Sequence, residues 1–174
     1  LHTKEFFLHF GILSRLRGNF HLQNLADFDH FYTKSQIHYL SIGPRDIHDI
    51  YLPGGEKLKL NENIRSMGIV RAQGFVEGDL EDLNANFNVQ SRLGNAVFDA
   101  HLNQNPETSL LSYSGNLKAD ELALGYITDN SDIGKASLDV KMQGSGTDMA
   151  NLILKVEGNI SAINYNNYTY NNID

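Results

Sequence analysis

Apolar and polar residues alternate one by one along much of this chain. In residues 84–92, "NANFNVQSR", Ala85, Phe87 and Val89 hold the odd positions, with Leu93 next, while asparagine, glutamine and arginine hold the even ones. An extended chain with this spacing has one wet face and one oily face. "NAVFDAHL" (95–102) puts Ala96, Phe98, Ala100 and Leu102 on one side; "LSYSGNLK" (111–118) does the same with Leu111, Tyr113 and Leu117. "ASLDVKMQ" (136–143) aligns Ala136, Leu138, Val140 and Met142, and "LILKVEGNI" (152–160) aligns Leu152, Leu154, Val156 and Ile160. A two-residue period of this kind predicts half-buried antiparallel strands.

Turn-forming stretches punctuate the pattern: "LGN" at 93–95, "NQNPETS" at 103–109, "GSGTD" at 144–148 and "EGN" at 157–159. Connections this short predict a meander in which neighbouring strands pair in sequence order. The N-terminal part is less regular. "EFFLHFGIL", "GNFHLQNL" and "SQIHYLSI" read as strands, whereas "PRDIHDIYLP", with Pro44 at a first helical position and Pro53 as a stop, predicts about two helical turns. "ADELALGYI" predicts one further helical turn, ended by Gly125. The loosely repeated "LQNL", "LEDL" and "MANL", each a few residues after a glycine, fit a repetitive β architecture.

Composition narrows the function classes. With 174 residues, 41% hydrophobic and 20% charged, the chain has the makeup of a folded domain. A net charge of −7 argues against tracking a nucleic-acid backbone, which takes a basic surface. The absence of cysteine excludes disulfides, thiolate metal sites and a cysteine nucleophile. No apolar run approaches the ~20 residues of a spanning helix, and the start at Leu1 and the end at "YTYNNID" read as cuts through a longer protein.

Candidate chemistry is sparse. The seven histidines never take the close HxH or HxxxH spacing of a zinc site, so no metal site is expected. "DNSDIG" and "GDLEDL" lack the ligand ladder of a calcium loop, and "GSG" at 144–146 precedes a strand, not the helix a phosphate cradle needs. There is no "GxSxG" elbow, and the expectation is a protein without enzymatic activity or cofactor.

The stretch 113–173 resembles the TamB-type translocation and assembly module proteins of Gram-negative envelopes, which belong with the AsmA-like bridge proteins. The likeness lies in Gly115 opening a short strand, "LALG" (122–125), Ile133 and Gly134, strands closed by "GSGTD" and "EGN", and the tyrosine-rich "YNNYTYNNI". "GNFHLQNL" (18–25), "YLSIGPRDIHDIYLP" (39–53) and "GIVRAQGFVEGDLEDLNANFNVQSRLG" (68–94) extend it over most of the chain. The resemblance implies a mostly β fold: an antiparallel meander sheet curled into an open trough, the β-taco, with one or two short helices. Residues 1–174 would form a single segment of a longer repetitive β-trough protein, anchored in the inner membrane, crossing the periplasm and meeting an outer-membrane barrel of the Omp85 type through parts outside this chain. The family is regarded as a conduit for phospholipid that supports outer-membrane biogenesis.

Such a fold would also answer what covers the oily face. About 20 inward apolar side chains, at 1.5–3 kcal/mol each when fully buried, exceed what a soluble monomer leaves bare. In a trough, phospholipid acyl chains cover them, and the expected lipid-groove residues are the nineteen aligned above, from Ala85 to Ile160, with Leu93 among them. The alternative is a structural or adhesive β-sandwich module of a large surface protein, with the same residues in a closed core. Cut sheet edges would leave unpaired strands through which the piece could self-associate.

Overall fold

The alternating stretches become strands, each hydrogen-bonded to the one before it. The computed structural model describes residues 1–25, 27, 30–46, 67–79, 81–108, 110–146 and 153–173. In chain order the elements are β1 (His2–Phe10), β2 (Ser14–Gln23), β3 (Tyr32–Ile42), β4 (Val70–Asp79), β5 (Asp82–Ser91), β6 (Gly94–Gln104), β7 (Leu111–Ala123), α1 (Leu124–Thr128), β8 (Ile133–Ser145), β9 (Ile153–Tyr165) and β10 (Tyr168–Ile173). All ten strands form one antiparallel sheet in sequence order, the expected meander. β1 and β10 lie at opposite ends of it and do not pair, so the sheet curls into an open trough rather than closing into a barrel. Twist makes curling the ordinary outcome for an open sheet this wide.

Two devices assist the curl. Gly18, Gly74, Gly115 and Gly144 sit where an added Cβ would overlap the carbonyl oxygen of Gln36, Asn86, Asp99 or Ile153 on the neighbouring strand. Glycine at such positions lets backbones approach and a sheet bend. Bulges are the second device. The register shifts between Thr3 and Phe6, between Ile37 and Leu40 and between Ala119 and Leu122, and Ser161 is an extra residue where Ile160 and Ala162 face Leu138 and Ser137.

Several expectations need correction. Gly125 does not end the helical turn; it is the second residue of α1, buried where a Cβ would overlap the Ile133 carbonyl. The helix stops at Asp129, whose left-handed conformation (φ 55°) turns its backbone N–H back to the Gly125 carbonyl. "EGN" at 157–159 is not a turn but part of β9, where Gly158 adopts φ 150° without leaving the ladder. The last hairpin turns instead at Asn166 and Asn167, both with positive φ, as a tight two-residue connection requires. Most of the expected helix over 44–53 lies outside the described residues, as does Leu152.

Among the described residues the buried apolar set is small: Leu93, Ala119, Leu122, Ala136 and Val140. It lies at β7 and β8 beside α1, where the Ala123 N–H donates to the Leu93 carbonyl (2.6 Å) and pins the β5–β6 turn against the end of β7.

Candidate functional site

Strand register decides which side chains share a face, because residues opposite one another in a ladder point the same way. Four long rows follow from the pairings. One runs Leu22, Thr33, Gly78, Leu83, Leu102, Tyr113, Gly144, Leu154. The next runs Thr3, Phe20, Ser35, Val76, Ala85, Ala100, Gly115, Met142, Val156. The third is Phe6, Gly18, Ile37, Gly74, Phe87, Phe98, Leu117, Val140, Gly158. The fourth spans all ten strands: Leu8, Leu16, Leu40, Ala72, Val89, Ala96, Ala119, Leu138, Ile160, Ile173. A shorter row, Leu122, Ala136, Ile163 and Tyr170, borders it.

No position in these rows is charged. The opposite face is polar, with rows such as Lys34, Glu77, Asn84, His101, Ser114, Gln143, Lys155. Along β5, β6 and β7 the apolar-face side chains are half-buried or buried, and most of their polar-face neighbours are exposed, so the apolar face lines the concave side.

Of the nineteen expected residues, seventeen fall on this face in strands. Leu93 is in the β5–β6 turn and is buried in the small core rather than open to the trough. Leu152 lies outside the described residues. Four strands that were read only in outline, or not as strands at all, add Phe6, Leu8, Phe20, Leu22, Ile37, Leu40, Ala72 and Val76. In β1 and β3 the signal in the sequence is a three-residue step, Thr3 to Phe6 and Ile37 to Leu40, where a bulge restores the phase; in β2 and β4 it is a plain alternation in which Gly18, Gly74 and Gly78 take apolar places.

The size of the face can be worked from strand geometry. Ten strands about 4.8 Å apart extend about 43 Å along the trough, and five rows at about 6.7 Å per two residues extend about 27 Å across it, giving roughly 1,200 Å² before curling. That is well above the few hundred Å² of the largest apolar patch on a typical monomer. The described residues supply no second layer over it: element contacts run between successive strands and from α1 to β8. Leu8, Leu154 and Val156 are therefore 40%, 49% and 50% exposed although they point inward. At the middle of the trough Phe87 and Phe98 pack across β5 and β6 with ring centroids 5.7 Å apart, and Phe6 meets Phe20 edge-on.

Charged clusters lie outside these rows. Asp46 receives the Ile12 and Leu13 N–H groups (3.0 Å each) and the Ser14 hydroxyl (2.6 Å), tying the segment after β3 to the β1–β2 turn. These donors, the hydroxyl first, lower its carboxyl from 3.8 to about 2. On the outer face Lys34 donates to Glu77 (2.8 Å), raising the lysine and lowering the glutamate. Among the described residues no three metal-ligating side chains converge, and no helix is long and apolar enough to cross a membrane.

Comparison with protein-family models, curated proteins and solved structures finds no match.

Proposed function

We propose that this chain is a periplasmic segment of an inner-to-outer-membrane bridge of the TamB type, and that it shields and conducts phospholipid acyl chains along its trough. The observation that carries this reading is the set of uncharged rows on one face, one of them crossing all ten strands from β1 to β10, with no second layer over them among the described residues. Acyl chains need no directional partners, so a lining of Leu, Val, Ala and Phe offers them contact without fixing their position. Among the described residues these rows carry no charge to arrest a chain that slides. Supply and delivery of lipid would fall to parts of the full protein beyond this segment, including contact with an outer-membrane barrel of the Omp85 type. The segment itself would perform no reaction.

Leu154→Arg tests this reading. Leu154 is inward yet half exposed, beside Gly144 in its row, so the arginine has room and the sheet stays folded. Phospholipid co-purifying with the protein, counted per chain by mass spectrometry, should fall sharply. Unchanged lipid content in the folded variant would end the proposal.

A further inference from the structure

A second site lies at the other face of the sheet. His2 on β1 and His21 on β2 are partners in the ladder, and their Nδ1 atoms stand 3.3 Å apart with the rings edge-on. Two imidazole nitrogens bound to one tetrahedral ion at ~2.0–2.1 Å stand about 3.3–3.4 Å apart, so the separation matches one ligand edge of such an ion. The sheet fixes the two Cα atoms, and the Gln23 side-chain amide nitrogen stands 2.8 Å from Nε2 of His21, behind the ring; when Nδ1 binds an ion Nε2 carries the proton, and a half-turn of the amide presents its oxygen to accept it. Ligating histidines are commonly held by donating the N–H of the nitrogen that does not bind the metal to such an oxygen. The nearest cation in the same row, Lys34, is tied to Glu77 and so turned to its own partner.

We propose that His2 and His21 form an open two-histidine site for a divalent transition ion of the zinc, nickel or copper kind, with the remaining coordination positions left to solvent. Imidazole suits these ions, whereas calcium and magnesium require oxygen ligands. Linear spacing could not reveal the pair, since nineteen residues separate the two histidines and only the β1–β2 hairpin brings them together. Its position on β1, the edge strand, means that an ion there would also bridge the outermost strand to the rest of the sheet.

The test uses the 174-residue chain purified without a histidine tag and titrated with zinc ions, followed by the imidazole ¹⁵N resonances. His2 and His21 should shift together at one equivalent while His9, His38 and His101 stay in place. His2→Ala and His21→Ala should each weaken binding more than tenfold with the fold intact by circular dichroism. Gln23→Ala should weaken it about tenfold at unchanged stoichiometry, the usual cost of losing an outer-shell contact. If zinc moves neither resonance, the contact is a hydrogen bond between imidazoles and the proposal fails. It fails equally if zinc first moves His101, whose Nε2 lies 2.9 Å from Asp82.

Discussion

Phe98 and Val97 are adjacent in β6 and point to opposite faces, which makes them a matched pair for testing the proposed lipid path. Phe98 lies mid-trough, half-buried between Phe87 and Leu117, while Val97 stands on the outer face beside Asn88 and Lys118. Phe98→Arg forfeits the aromatic pair, about 0.5–1.5 kcal/mol, and roughly half of the 1.5–3 kcal/mol of a fully buried phenylalanine. The arginine stem recovers part of this, leaving a net loss of about 2 kcal/mol against a typical domain stability of roughly 5–15 kcal/mol. The sheet therefore remains folded. For an acyl chain lying on that spot, a guanidinium costs about 3 kcal/mol, by analogy with arginine at a bilayer centre, or roughly a hundredfold in occupancy. Val97→Arg, already exposed, should change stability by no more than about 0.5 kcal/mol and lipid content not at all. The assay is phospholipid retained per folded chain, with Phe98→Leu as the apolar control that should keep its lipid. Equal lipid loss in the two arginine variants, or none in Phe98→Arg, would refute the assignment of the concave face as the lipid path.

Three further outcomes follow from the same geometry. Val140→Arg, unlike Leu154→Arg, places a charge at a buried position (7% exposed) and should destabilise by about 4 kcal/mol, seen as a large drop in the urea midpoint. Gly115→Val drives a side chain into the Asp99 carbonyl and should cost about 2–3 kcal/mol, checked by thermal unfolding beside Ser114→Val, which is exposed on the outer face and should lose far less. Because the Asp46 carboxyl is lowered to about 2, the stability it contributes is full above its ordinary 3.8 and is lost as pH falls from there toward 2; Asp46→Asn should flatten the acid unfolding curve within that window.

Legibility along the chain tracked the regularity of the ladder. β5 and β6 alternate strictly, and so do β7 up to Ala119, β8 from Ala136 onward and β9 up to Ile160, so their inward residues were readable from spacing alone. Leu93 continues the odd-numbered series but sits past the end of β5, where the turn carries it into the small core; spacing cannot mark where a strand stops. In β1 and β3 the alternation breaks at a bulge, and a strict two-residue template places Leu8 or Leu40 on the wrong side. Asp46 was invisible for a different reason: its partners, residues 12–14, are more than thirty positions away, and the Ser14 hydroxyl that anchors it reads as an ordinary polar residue until β3 is folded against β2. The His2–His21 pair was hidden in the same way.

The bulges bear on what the sheet is built to keep. A one-residue slip in a strand transfers every following side chain to the other face. Yet Thr3 to Phe6, Ile37 to Leu40, Ala119 to Leu122 and Ile160 to Ile163 are each separated by three residues, and both members of every pair face inward. In each case an irregularity absorbs the odd residue, at the expense of a locally disrupted ladder. Pairing alone would be better served by unbroken strands. What is preserved through all four irregularities is instead the continuity of one uncharged surface, from Leu8 on β1 to Ile173 on β10, while glycines on that same surface let the sheet bend around it. A surface held continuous in this way, with no second layer over it among the described residues, is what a ligand longer than any single pocket requires.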